Sequence, residues 1–151
     1  MSSKYPSREE IAALFGNMET GDYPALFERI SPNVDWTVMG THPCAGRYTT
    51  LKDFQDDTMV RLGKIMKEPG ICLKVRNVIG GGDQEWATVE LVADAECKSG
   101  LKFDNTYAWC MRFDEAGRVV EVRAYLDSWM VKQAIEENEC PSRRAPMPNL
   151  E

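Results

Sequence analysis

From Phe103 to Phe113 large apolar side chains recur at every second position, with Asn105 the one exception. Phe103, Asn105, Tyr107, Trp109, Met111 and Phe113 share one parity, while Asp104, Thr106, Ala108, Cys110 and Arg112 share the other. A period of two marks a strand with unlike faces. A second strand-like run follows Asp114-Glu115-Ala116-Gly117, where Gly117 suits the positive φ of a short turn, so Phe103 to Ser128 is predicted as a long antiparallel hairpin. One face of its first arm is aromatic, with an amide and a phenol set into it. Large rings with a few polar tips suit the wall of a cavity that holds a ligand. A core strand whose polar groups are satisfied is the competing reading.

Before that hairpin the chain is mainly of helical period, with one strand-like run, until about residue 70. Ser7 and Glu10 stand in capping-box spacing ahead of Ile11, Leu14, Phe15 and Met18, which predicts an amphipathic helix. After Gly21, Asp22 is placed to cap a short second helix with Leu26, Phe27 and Ile30 on one face, ended by Ser31-Pro32. Val34 to Met39 alternates as a strand, Gly40 to Gly46 reads as a loop, and Thr50 with Asp53 opens a third helix to about Met66. From Ile71 the period is two: Ile71 to Ile79 and Trp86 to Cys97 are predicted strands. Gly80-Gly81-Gly82-Asp83 between them reads as a turn, because no helix start or GK[ST] follows to make it a phosphate loop. A last helix begins near Ser128, and Pro141, Pro146 and Pro148 mark residues 141–151 as a tail, leaving 1–140 as one domain.

Composition narrows the function. The chain has 151 residues, 43% hydrophobic and 28% charged, which is ordinary for one globular domain. A net charge of −6, with scattered Lys and Arg, argues against nucleic acid as a partner. No apolar run approaches the length of a membrane span and no secretory signal opens the chain, so a cytoplasmic protein without membrane contact is expected. Five cysteines without metal spacing read as reduced thiols, and a single histidine, His42, makes a structural zinc site untenable. No metal and no other cofactor is expected.

Helices that come first and strands that come later predict an α+β cone, with a pocket between the helices and a curved antiparallel sheet. The Gly21-Asp22 break and the run Met111-Arg112-Phe113-Asp114-Glu115-Ala116-Gly117-Arg118, followed by Val122 to Asp127, resemble the nuclear-transport-factor-2-like (NTF2-like, cystatin-like) superfamily. The nearest likeness is to its SnoaL-like polyketide-cyclase and ketosteroid-isomerase branches, over about residues 8–138. The resemblance implies the fold; the reaction must come from the site. Carried over by position, the steroid isomerase's base falls on Val38 and its oxyanion donors on Leu14 and Trp109, so that route is rejected. The Asp-Arg-Asp set of limonene-epoxide-hydrolase-like enzymes falls on Glu90, Val92 and Ala124, and is broken too.

The same alignment implies that Thr88, Glu90, Val92 and Asp94 face the pocket. It leaves Ala87, Val89, Leu91, Ala93 and Ala95 as a smooth outer face suited to a homodimer. Patterning alone prefers the reverse orientation. With the alignment, the substrate-binding wall is Trp36, Val38, Val92, Phe103, Asn105, Tyr107, Trp109, Ala124 and Leu126, and the catalytic candidates are Glu90, Asp94 and His42. By the strand rise the two carboxylates stand roughly 13 Å apart, free to act separately as acid and base. Arg123, Tyr125 and Asp127 are expected to point away from the pocket, and Cys110 outward by parity. The expected function is a cofactor-independent acid/base step on an apolar oxygenated metabolite of polyketide or terpenoid type: isomerisation, cyclisation or epoxide opening. The alternatives are a noncatalytic small-molecule binder and a dimeric recruiting module.

Overall fold

The computed structural model describes residues 3–139. The tail expected from residue 141, and Cys140, lie outside them. Helix α1 (Arg8–Gly16) starts as predicted, with the Ser7 hydroxyl accepting from the Glu10 N–H at 3.1 Å. Ile11 and Phe15 are its buried face. A 3-10 turn (Asn17–Thr20) ends at Gly21, whose φ of 80° permits the reversal into α2 (Tyr23–Phe27). Asp22 makes no side-chain cap there, contrary to the capping expectation.

Strand β1 (Ile30–Val38) begins earlier than predicted and takes in Pro32, which its missing N–H confines to an irregularity of pairing between Ile30 and Asp35. The predicted loop keeps its length and leads into a strand not expected from the sequence, β2 (Gly46–Tyr48), which folds back on β1. The third helix is not regular. Thr50 caps α3 (Leu51–Phe54) through the Asp53 N–H, a π-helical turn (Gln55–Val60) follows, and α4 (Arg61–Gly63) completes it.

β3 (Cys72–Gly80), β4 (Trp86–Glu96), β5 (Lys102–Phe103), β6 (Thr106–Phe113) and β7 (Val119–Leu126) then build the sheet, and α5 (Ser128–Asn138) closes the chain. The strand order is β2-β1-β7-β6-β4-β3, with β5 on β4. The sheet is mixed rather than wholly antiparallel, since β1 pairs in parallel with β7. That pairing joins residues some 90 positions apart, with Ile30 opposite Val119. It lets the early strand share a sheet with the late hairpin, while the helices between them cover the concave face.

Candidate functional site

Ladder register decides which side chains reach the concave face. In an antiparallel pair directly opposed residues share a face. Val89 stands opposite Trp109 and Leu91 opposite Tyr107, while Ala124 and Leu126 stand opposite Trp109 and Tyr107 from the other side. All six therefore look toward the helices. Glu90 opposite Ala108, Thr88 opposite Cys110 and Val92 opposite Thr106 look the other way.

A cavity of about 50 Å³ lies where this face meets the helices. β1 supplies Trp36 and Val38, β6 supplies Tyr107 and Trp109, and β7 supplies Ala124 and Leu126. The roof is Phe54, Thr58, Met59 and Leu62 from the irregular helix, with His42 and Cys44 from the loop before β2. The π-helical turn adds a residue to the helical period and so turns Thr58 and Met59 toward the sheet. The rings fix one another. Trp36 stacks on Phe54 with centroids 3.7 Å apart, and Trp109 meets Trp36 edge-on at 5.2 Å and Tyr107 at 6.2 Å. Such pairs add about 0.5–1.5 kcal/mol each beyond their buried area.

Next to the cavity, a wider cleft of about 530 Å³ opens between α2 and the π-helical turn. Met59 and Ile71 line both spaces and form the partition between them. Tyr23 anchors that partition by donating to the Ile71 carbonyl at 2.5 Å. Burial raises the pKa of the Tyr23 phenol, keeping it a donor.

The polar groups of the cavity are neutral. Among the described residues no Asp, Glu, Lys or Arg lines it. Burial raises the Tyr107 phenol well above its ordinary value, so it remains protonated. The Cys44 thiol is pushed up to about 11 by burial. His42 is lowered, since burial disfavours the imidazolium more than the Met39 carbonyl favours it. Its ring is held on both sides. Nε2 lies 3.0 Å from the Met39 carbonyl and Nδ1 accepts from the Cys44 N–H at 3.2 Å, which assigns the neutral Nε2–H tautomer. His42 thus ties the loop to the cavity wall, and neither nitrogen is free for the proton transfer expected of it. The Trp36 indole Nε1 is buried with no hydrogen-bond partner. Among the described residues no group of His, Cys, Asp and Glu is placed to hold a metal ion.

Trp36, Val38, Tyr107, Trp109, Ala124 and Leu126 therefore meet at the cavity as expected, and His42 joins them. The other expectations are overturned. Glu90 lies half-buried on the convex face, where Asn77 donates to it at 3.2 Å. Asp94 is exposed and stands opposite Cys72 at the sheet margin. Val92 shares the face of Glu90, because the family anchor set β4 one residue out of register, and a one-residue slip turns every side chain over. Phe103 is fully buried in the core but is not on the cavity wall. Asn105 is a clamp: its amide donates to the Asp127 carbonyl and its oxygen accepts from the Asp127 N–H, both at 3.0 Å. The expected smooth outer face of Ala and Val is instead the core side of β4. The convex face carries Arg112 and Arg123 on Glu121, and Arg123 also packs over the Trp86 ring at 4.7 Å. Arg123 and Cys110 do lie there, as parity requires. The roof residues Thr58 and Met59 were missed; only an irregularity in the helical period signals them.

Comparison with known proteins agrees with this architecture. No family model matches the chain. An NTF2-like protein from Burkholderia thailandensis superposes with a TM-score of 0.70 at 23% identity, over 89% of this chain and 98% of that one. TerC, co-crystallized with polyporic acid, gives 0.63 at 19% identity, over 85% of this chain and 96% of that one. The chain has the NTF2-like fold. In sequence it is 34% identical over 136 residues to the dimerizing cyclase phiC of a fungal species. It is 31% identical, also over 136 residues, to the dimerizing cyclase tstC of Talaromyces stipitatus. Each match takes in 90% of this chain and 60% of the relative, so the chain spans three fifths of the length of these curated relatives. The likeness to cyclases is thus carried by sequence, and the solved structures carry the fold.

Proposed function

We propose that this chain is a cofactor-independent cyclase acting on an apolar, partly oxygenated metabolite of polyketide or terpenoid type. The observation that carries the reading is the cavity itself: aromatic and aliphatic walls with only neutral polar tips, in a relative of two proteins named dimerizing cyclases. Without a carboxylate on the wall, ring closure there works by shape and hydrogen bonding rather than by a paired acid and base. The walls fold the substrate so that its reacting carbons meet, a gain that in oriented reactions amounts to several kcal/mol. In an aldol-type closure the enol carbon of one arm bonds the carbonyl carbon of the other while that C=O π bond breaks. The protonated Tyr107 phenol donates a hydrogen bond to the resulting alkoxide, which takes up the proton lost from the enol O–H. Epoxide opening by two carboxylates has no support from this wall.

The cavity alone is small for such a substrate, as ligand pockets run to roughly 300–1,000 Å³. Substrate therefore spans cavity and cleft, with Met59, a flexible thioether, moving aside between them. Residues 1–140 act as one domain, in the cytoplasm and in secondary metabolism. Two copies associate through the convex sheet face, where Ile79 and Tyr125 are 56% and 46% exposed.

The test is incubation of the purified protein with linear polyketide and terpenoid precursors, followed by chromatography and mass spectrometry. A cyclised product, of unchanged mass or of the mass of two joined units, that disappears with heat-denatured protein is expected. Recovery of every bound precursor unchanged would make the protein a binder and overturn the enzyme reading.

A further inference from the structure

We infer that the cavity recognises an uncharged compound with two separate hydrogen-bond-accepting oxygens, one meeting the Trp36 indole N–H and the other the Tyr107 hydroxyl. The inference rests on the proposed cyclase reading for the ligand's place in a reaction, and names the class of compound that site takes.

Trp36 is 1% exposed, and its Nε1 is a buried donor without an acceptor. Orphaned buried donors are rare in folded proteins, because desolvating an N–H without a partner opposes folding. Its neighbours offer no remedy: Phe54 is stacked on its face and Trp109 meets it edge-on, and neither ring carries an acceptor. Tyr107 is half-buried rather than sealed off, and its hydroxyl offers a second donor. Tyr23 donates to the Ile71 carbonyl and Tyr48 to the Cys44 carbonyl, whereas the Tyr107 hydroxyl has no partner among the described residues.

Both donors belong to residues of the cavity wall, and both rings meet Trp109 edge-on. Trp36 is on β1 and Tyr107 on β6, with β7 between them. Two donors on separate strands suit oxygens on different atoms of one ligand, with its hydrocarbon body against Leu62 and Leu73.

Charge is excluded from both sides. A carboxylate would meet no Lys or Arg on this wall, and an ammonium no Asp or Glu. Burying either ion without a counter-ion is prohibitive. Arg61, near Cys44, is occupied by Glu139 through two hydrogen bonds of 2.7 Å.

The experiment is a titration of the 15N-labelled full chain with 1,4-cyclohexanedione, cyclohexanone and cyclohexanecarboxylate, following the indole N–H resonances. The Trp36 signal is assigned by its loss in Trp36→Phe. The dione is expected to move that proton downfield and to bind roughly fivefold to tenfold more tightly than the monoketone, the effect of one further hydrogen bond. Tyr107→Phe is expected to reduce the dione to the monoketone's affinity, and the carboxylate to leave the Trp36 signal in place. Equal affinity for dione and monoketone, an unaltered preference in Tyr107→Phe, tightest binding of the carboxylate, or no shift up to the solubility of the dione each overturns the inference. Tyr107→Phe removes a single oxygen and keeps the test decisive if Trp36→Phe does not fold. Turnover enters none of these readings. Absent cyclisation with donor-dependent dione binding sinks the enzyme reading alone, and cyclisation with donor-independent binding sinks the donor pair alone.

Discussion

Val89 stands directly across the β4–β6 ladder from Trp109, and that one pairing sets the face of every residue in β4. Glu90, the next residue, is turned to the convex side, within 3.2 Å of Asn77, and Asp94 is exposed at the end of the same strand. Glu90→Gln and Asp94→Asn are therefore expected to leave ligand binding and turnover unchanged and to alter stability by no more than about 0.5 kcal/mol. Binding titrations and urea unfolding check both. A tenfold loss of activity in either variant would return that carboxylate to the reaction.

The convex placement of Glu90 was legible in the chain by one rule and hidden by another. The alternation Ala87, Val89, Leu91, Ala93 is apolar on one parity, and burial of that parity is what hydrophobic patterning demands. The family resemblance implies the opposite facing, which the observed register does not follow. The hairpin from Phe103, the helix starts at Ser7 and Thr50, and the aromatic wall of Trp36, Tyr107 and Trp109 were all readable, because local period and capping determine them. The parallel pairing of β1 with β7 was not, since nothing local records which distant strand a segment joins. The roof escaped for a related reason: Thr58 and Met59 reach the cavity only through the extra residue of the π-helical turn, which a strict 3.6-residue period cannot show.

Stability should depend on pH through His42, the chain's one histidine. Burial holds its folded-state pKa below the ordinary 6.5, so the unfolded chain takes up the proton more readily. The contribution is therefore fully present above pH 6.5 and is lost as pH falls through the folded value. Urea unfolding at about pH 7.5 and about pH 5 is expected to show lower stability at the acid end, with a flatter dependence in His42→Gln. An imidazole C2–H resonance titrating at or above the ordinary value would contradict the buried neutral tautomer.

Cys44 should be inert in the folded protein. Its thiol, pushed up to about 11, is almost wholly protonated at neutral pH, and the thiolate is the form that reacts. Iodoacetamide at about pH 8 is expected to leave Cys44 unmodified until denaturant is added, as read by peptide mass spectrometry. The same shift destabilises the fold on the alkaline side, where stability falls between the unfolded value of 9.0 and about 11. Rapid native alkylation of Cys44 would show that the loop of His42 opens readily.

Asn105 should matter to stability far more than to chemistry. It is 1% exposed, and its two hydrogen bonds to the backbone of Asp127 join the start of β6 to the residue that begins α5. The Asp127 carboxylate in turn accepts from the Trp129 and Met130 N–H groups and caps that helix. Asn105→Ala removes both partners at once and leaves the part-buried Asp127 carbonyl and N–H without them, at a cost of about 1–3 kcal/mol. Asp127→Asn keeps an oxygen for the cap and should cost well under about 1 kcal/mol. Val131, on the inward face of α5, lines the cavity, so loosening this junction is expected to weaken ligand binding only as the fold itself weakens. Urea unfolding of the two variants, with ligand titrations at temperatures where each is folded, separates the effects. Full stability with lost binding in Asn105→Ala would move that amide from the scaffold to the site.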